Sequence, residues 1–273
     1  MYHANILGRL VGSLHAIPVI ASIRAEKFGG ALRDMLEHIT QSLSRVTVIN
    51  SYSAARTIVE RGVIHKDRVR VIQNSVETVT PPIPNEASTP VTEKGLRWVA
   101  VGRLEDAKDY PTLFLALREL LKTHPATTLK IAGSGSREKA LKDLANDMGL
   151  DSCITFLGQR KDVTNILDSA DALVLSSAME GMPNVVMEAL SRARPVVATD
   201  VGGVNELVEH GVSGFIVPPR DPIKLASAMR QMSMLPIGRR IDMGESGRKR
   251  MKSYFSPESI ANQWETLIAS ITH

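Results

Sequence analysis

Two glutamates, Glu180 and Glu188, close the run Glu180-Gly181-Met182-Pro183-Asn184-Val185-Val186-Met187-Glu188 at its two ends. The apolar stretch 172–175 just before it reads as a buried strand, and ligands of open α/β sheets sit at the carboxyl ends of strands. A helix beginning near Pro183 or Asn184 would turn the free N–H groups of Asn184, Val185 and Val186 and the positive end of its dipole toward that crevice, which suits a phosphate. Glu180 on the loop can accept hydrogen bonds from sugar hydroxyls, and Glu188, one turn into the helix, from a ribose. Spacing alone leaves a second reading open, because a glutamate near a helix start also serves as a plain dipole partner.

Such a site needs a parallel sheet behind it. Short Val- and Ile-rich runs at 19–21, 46–49, 69–72, 98–101, 129–132, 154–157, 172–175, 196–198 and 215–217 alternate with helical patterns at 31–43, 113–121, 138–148 and 225–232. Strands apolar on both faces, separated by helices, predict a doubly wound α/β architecture. The Pro-rich segment 81–95 has no periodicity and is expected to be a linker. It divides a partial N-terminal domain, 1–80, from a complete Rossmann-like domain, 96–255. Only three strands precede the linker, so the first domain reads as lacking its opening β-α units. Ser256-Pro257-Glu258 is a good helix start, and Ile260, Trp264, Leu267 and Ile268 would pack the helix of 256–273 back toward the N-terminal part.

Composition narrows the chemistry. With 43% hydrophobic and 23% charged residues among 273, the chain is globular. Cys153 is the only cysteine, so it can form neither an internal disulfide nor a zinc cluster, and a cytoplasmic setting is expected. The apolar stretch 6–23 is broken by Arg9, His15 and Pro18 and reads as a helix followed by a strand, without a membrane span. Of the net charge of +4, most lies in residues 1–95, which hold 11 Lys/Arg against 8 Asp/Glu. A peripheral enzyme would meet anionic lipid or a phosphorylated acceptor there; a solvated basic surface gives the same count. Dense cationic runs with interleaved aromatics are missing and aromatics are 4%, which argues against nucleic acid. The chain contains no D-x-D, and its seven histidines have no ligand spacing, so no metal is expected.

The run from Glu180 to Glu188 resembles the E-x7-E motif of family 4 retaining glycosyltransferases of GT-B fold. Other segments are similar to that family's motifs and occur in its order: Val101-Gly102-Arg103-Leu104 with Lys108-Asp109-Tyr110-Pro111, Ile131-Ala132-Gly133-Ser134-Gly135, Phe156-Leu157-Gly158-Gln159-Arg160-Lys161-Asp162-Val163, Pro195-Val196-Val197-Ala198-Thr199-Asp200-Val201-Gly202-Gly203 and Gly214-Phe215-Ile216-Val217-Pro218. The resemblance implies that Arg103 and Lys108 contact the diphosphate of a nucleotide sugar, where an Arg fork and a mobile ammonium would neutralise the leaving group. It implies a base-binding stretch at Arg160 and Lys161 and a turn at Gly133 and Gly135 that lets the backbone approach the donor. By itself a G-x-G is also an ordinary turn, and Glu138 stands where a dinucleotide fingerprint has its third glycine.

The implied activity is metal-independent transfer of a hexose, with UDP the expected nucleotide, to a glycan or lipid-linked acceptor in cell-surface polysaccharide synthesis. No cofactor beyond the donor is implied. His3-Ala4-Asn5 is similar to an acceptor-side segment, but no catalytic role is assigned to His3. Two departures bear on shape. Gln73 and Ser75 replace the Pro and Gly of the family's V-I-P-N-G-V hinge, and Arg192-Ala193-Arg194 stands where a glycine-containing turn is usual. Two further readings remain: a non-catalytic nucleotide-sugar-binding or partner subunit, and a GT-B epimerase or phosphorylase.

Overall fold

A computed structural model describes residues 2–24, 30–78 and 95–272. The expected linker therefore lies outside the described residues except for Gly95. The first unit holds α1 (Tyr2–Leu14), β1 (Ile20–Ile23), α2 (Ala31–Thr40), β2 (Val46–Ile49), α3 (Tyr52–Glu60) and β3 (Val69–Val71). The second runs β4 (Arg97–Val101), α4 (Tyr110–Leu121), β5 (Thr128–Ala132), α5 (Glu138–Asp147), β6 (Ile154–Gly158), α6 (Val163–Asp168), β7 (Ala172–Leu175), α7 (Asn184–Ser191), β8 (Val196–Thr199), α8 (Val204–Leu207) and β9 (Gly214–Val217). Helices α9 (Pro222–Met234), α10 (Ile237–Tyr254) and α11 (Pro257–Thr272) complete the chain. All nine expected strands form, every pairing is parallel, and the architecture is α/β.

The large sheet has the order β6-β5-β4-β7-β8-β9. The chain winds outward from β4 in one direction and then restarts beside β4 with β7, so the strand order reverses between these two. The carboxyl ends of β4 and β7 thus splay apart and leave a crevice. Alternation along the strands fills both faces. Trp98, Ala100, Leu129 and Ile131 pack under α4, α5 and α9, while Val99, Leu173, Leu175 and Ala198 pack against α6, α7 and α8.

Ile23 and Ile49 of the small sheet, β1-β2-β3, form a core with Ile58 of α3. On its other face Val46, Val48 and Ile72 meet Ile260, Leu267, Trp264 and Ile271 of α11. Ser256 caps that helix, its Oγ accepting from the Ser259 N–H at 3.2 Å. Ile268, expected on the packed face, is exposed, and Ile271 takes its place, because the stripe follows 260, 264, 267, 271 as the helical period requires. Under α1, Arg9 and Glu37 form a fully buried ion pair at 2.5 Å, with Thr40 and Thr47 also accepting from the guanidinium.

The two units touch through a polar seam. The Glu206 carboxylate accepts from the Ser53 N–H at 3.0 Å and from Gln73 Nε2 at 2.6 Å. Asn74 Nδ2 donates to Asn184 Oδ1 at 2.8 Å, and the Val76 N–H donates to the Phe255 carbonyl at 2.8 Å. Gln73, where the family pattern has proline, is thus a donor across the seam. Ser75 keeps an ordinary negative φ, whereas Ala193 adopts φ 54, the left-handed conformation for which a glycine would be usual.

Candidate functional site

The crevice between β4 and β7 is built from two loops tied together. After β4 the chain makes a 3-10 turn, Asp106–Lys108, before α4 begins. The Ala178 N–H of the β7 loop donates to the Ala107 carbonyl at 2.9 Å, and Ser176 Oγ donates to the Lys108 carbonyl at 2.9 Å. These bonds set two side chains opposite each other: Lys108 Nζ lies 2.5 Å from Glu180 Oε1. Ser177 Oγ donates to the same carboxylate oxygen at 2.6 Å, and Thr199 Oγ1 from β8 donates to the Ser177 carbonyl at 2.6 Å. Glu180 is therefore held by a chain of bonds running back into the sheet. Tyr110 donates its hydroxyl to the Gly102 carbonyl at 3.2 Å, and burial, with the Glu180 charge second, pushes that hydroxyl far above its usual range, so it stays a donor.

Glycines let these loops come close. At Gly133, φ is +149 and a Cβ would stand 1.9 Å from the Gly102 carbonyl oxygen; at Gly135 a Cβ would stand 2.4 Å from that of Leu104. The G-x-G turn is thus required by packing of the β5 loop on the β4 loop, whatever else approaches it. At Gly202, with φ +54, a Cβ would meet the Glu180 carbonyl oxygen at 2.4 Å.

Arg103, Gly133, Gln159 and Arg160 line a cavity of about 190 Å³ over the ends of β4, β5 and β6. Arg103 is exposed with no hydrogen-bond or ion-pair partner among the described residues. Arg160 is held by Asp162 through two bonds of 2.8 Å, which raise its pKa and lower that of Asp162. Lys161 is exposed and is not part of the cavity lining. Helix α7 starts at Asn184 as expected. Val185 and Val186 bury their side chains in the core, and the Val186 N–H already bonds the Pro183 carbonyl at 3.1 Å, so the N–H groups left over at this end belong to Asn184 and Val185. Glu188 is half-buried on the second turn, without a partner among the described residues, and burial pushes its carboxyl up.

The structure therefore brings Lys108 and Glu180 into contact and sets Arg103, Gly133 and Arg160 around one hollow beside them. Lys161 and the valine side chains stand apart. Sequence reasoning overlooked Ser177, Thr199 and Glu206. The first two are ordinary hydroxyls in text, while Glu206 has one readable signal, its place three residues after Gly203 at the start of a helix. Chemically, two cations and a helix start can hold a diphosphate, while the fixed carboxylate of Glu180 can accept from hydroxyls.

Comparison with known proteins adds a family and a fold. The family described as "Glycosyl transferases group 1" matches residues 95–234, just over half of the chain. A glycogen synthase of Mycobacterium tuberculosis is 29% identical over 263 residues, covering 92% of this chain and 63% of its own. A D-inositol 3-phosphate glycosyltransferase of Corynebacterium urealyticum is 30% identical over 249 residues, covering 83% of this chain and 57% of its own. The chain thus spans about three fifths of the length of these curated relatives. Among solved structures, Anabaena HepE in complex with UDP superposes with a TM-score of 0.85 at 20% identity, covering 99% of this chain and 77% of that one.

Proposed function

The chain belongs to the group 1 glycosyl transferases and has an α/β GT-B-like fold, and on that premise we propose that it binds a nucleoside diphosphate sugar, with UDP as nucleotide, for transfer of a hexose with retained configuration, in the manner of family 4. The observation that carries this reading is the Lys108–Glu180 contact at the point of strand reversal, with Arg103 unpaired beside it. Arg103, Lys108 and the N–H groups at the start of α7 hold the diphosphate. Glu180 takes hydroxyls of the sugar, and Glu188 those of the ribose. As the bond from the anomeric carbon to the diphosphate oxygen breaks, the acceptor oxygen bonds to the same face of that carbon. The acceptor proton passes to an oxygen of the departing β-phosphate, whose charge the cations stabilise. This route calls on no metal, cofactor or protein nucleophile.

The relatives' names support an acceptor in polysaccharide or lipopolysaccharide synthesis; a lipid-linked acceptor met at the inner face of a membrane is part of the same proposal. Among the described residues no helix is long and apolar enough to cross one. Calorimetry with UDP, GDP and ADP tests the donor: UDP binds tightest, and Arg103→Ala and Glu188→Ala each weaken it. Unchanged affinity in both variants would remove the assigned roles.

A further inference from the structure

The turn Arg192-Ala193-Arg194, which departs from the family pattern, takes no part in the crevice described above. It leads from α7 into β8 at the amino-terminal rim of the large sheet, where Arg97 opens β4 and Asp171 directly precedes β7. That rim is a strand's length, roughly 15 Å, from the proposed transfer site. Asp168, at the end of α6, accepts from Nε and Nη2 of Arg192. Asp171 accepts from the Arg97 N–H at 2.8 Å, from Arg97 Nε at 3.1 Å and from Arg97 Nη2 at 2.8 Å. Each carboxylate is thus taken up by one guanidinium.

Two further arginines reach the same place without an acid of their own. Arg194 stands among the charges of Asp168, Asp171, Arg192 and Arg97, and its Nη2 donates to the Asp168 carbonyl at 3.0 Å. Its Nε is sealed from solvent with no acceptor. Arg240, 7% exposed, lies on the first turn of α10, donates to the Leu235 carbonyl and is within reach of the Asp171 charge. Gly244 shows which way this part of α10 faces: it is one helical turn further on the same side, and a Cβ there would stand 2.0 Å from the Ala193 carbonyl oxygen. Neither Arg194 nor Arg240 has an ion-pair partner among the described residues.

Burial works against both charges and lowers the pKa of each guanidinium. The start of α10 adds to the imbalance, because Pro236 supplies no side-chain cap, the first turn holds no acid, and Arg240 sits where the helix dipole is already positive. Four guanidinium groups around two carboxylates leave an excess of two positive charges in a partly buried place. Such an excess is unfavourable unless an anion meets it.

We propose that the Arg192-Ala193-Arg194 turn and the first turn of α10 form a second anion site, which takes a phosphate dianion, free or as a small monoester, between the guanidinium groups of Arg194 and Arg240. Two negative charges cancel the excess of two, and the planar forks match phosphate oxygens. Arg97 and Arg192 keep their aspartates. The site shares no residue with the proposed diphosphate contacts at Arg103 and Lys108, so it stands or falls apart from the transfer reading.

Calorimetry and thermal melts of the whole chain at constant ionic strength test it, with inorganic phosphate and glycerol 3-phosphate as probes and chloride as the reference anion. Phosphate binds the wild type and raises its melting temperature. Arg194→Met and Arg240→Met each weaken that binding at least tenfold, whereas Arg103→Ala, in the other crevice, leaves it in place. In chloride alone Arg194→Met is folded and melts at or above wild type, because an unmatched charge is gone; in phosphate the order reverses. Glycerol 3-phosphate binding tenfold more tightly than phosphate identifies a monoester as the ligand, and affinity no better than that of phosphate identifies the free ion. The proposal is overturned if neither probe binds the wild type, if phosphate stabilises wild type and Arg194→Met equally, or if binding is lost in Arg103→Ala and kept in Arg194→Met. It is also overturned if Arg194→Met melts below wild type by the same margin in both anions, which would give the arginine a purely structural role.

Discussion

Glu206 sits on the large unit and spends its carboxylate on the small one, and replacing it with alanine measures what holds the two together. One oxygen accepts from the Ser53 N–H at 3.0 Å, and Ser53 is the second residue of α3, whose cap Ser51 already accepts from the Ala54 N–H at 3.1 Å. Glu206 thus completes the N-terminus of a helix in the other unit, with its negative charge at the positive end of the dipole. Losing a cap of that kind costs about 1 kcal/mol, and the dipole adds roughly 0.5 kcal/mol. The other oxygen accepts from Gln73 Nε2 at 2.6 Å, a charge-assisted bond worth on the order of 1.5 kcal/mol. Because water can reach both donors once the seam opens, the loss on Glu206→Ala is about 2–3 kcal/mol, or roughly 30- to 150-fold in the equilibrium between docked and open units. Amide hydrogen exchange reads this directly. The Ser53 amide exchanges faster by that factor, while the Leu173 amide in the centre of the large sheet does not change. Glu206→Gln, which keeps an acceptor for Ser53 but loses the charge, shows a smaller effect. An unaltered Ser53 rate, or equal loss of protection in both sheets, would refute the reasoning: the first would mean the seam is held by other contacts, the second that Glu206 supports the fold as a whole.

Burial raises the Glu188 carboxyl above its usual 4.5. The folded protein then holds this proton at pH values where the unfolded chain has released it, so stability falls as pH rises from about 4.5 through the raised folded value. Glu188→Gln accordingly melts above wild type at pH 7, and the difference vanishes below pH 4.5 in calorimetric scans. In the same residue's proposed role, ribose hydroxyls favour the ionised form, so UDP affinity drops on acidification in wild type and not in the Gln variant. Gly133→Ala drives a methyl into the Gly102 carbonyl at a φ that alanine avoids, and urea melts show a loss of about 2–4 kcal/mol; a loss below about 0.5 kcal/mol would mean the β5 loop relaxes freely. Glu37→Ala strands the buried Arg9 guanidinium and costs about 3–5 kcal/mol, and the double change Arg9→Met with Glu37→Leu recovers most of it. Equal stability of the single and double variants would contradict that account.

The fold was legible because its signals are local and repeated. Nine short apolar runs, each followed by a turn or helix, can satisfy their backbone groups only as parallel strands under helices, and the strand at 172–175 is buried along its whole length. Helix starts at Asn184 and Pro257 were readable from their own residues. What escaped was whatever depends on contacts between distant segments. Nothing in the spelling of Gln73 tells that it reaches Glu206, 133 positions along the chain, and nothing marks Ser177 off from Ser176, although one holds Glu180 and the other the Lys108 carbonyl. Gly133 was readable as a turn, but the reason for it, a carbonyl oxygen from another loop at van der Waals distance, belongs to the packed state. Of the three N–H groups expected to be free at the start of α7, that of Val186 is spent on the Pro183 carbonyl, which only the formed helix end reveals, while the valine side chains pack in the core as helical geometry requires.

An ion pair standing where a diphosphate is proposed to bind raises a question of order: which partner yields? The supports of the two side chains differ. Glu180 is fixed by Ser177 Oγ, itself anchored through its carbonyl to Thr199 on β8, so the carboxylate has a partner even when the ammonium leaves. Lys108 has its carbonyl pinned by Ser176, but the end of its side chain passes over Gly102, where a Cβ would already crowd it at 2.9 Å. The side chain that can swing is therefore the lysine. Under the proposed function, an arriving diphosphate, carrying more charge than one carboxylate, would draw Lys108 off Glu180, and the acid left behind would be in place to receive a sugar hydroxyl. In the proposed cycle the Ser177 bond thus keeps the Glu180 carboxylate in the position from which it would meet a sugar hydroxyl, while an anion of higher charge competes for the Lys108 ammonium.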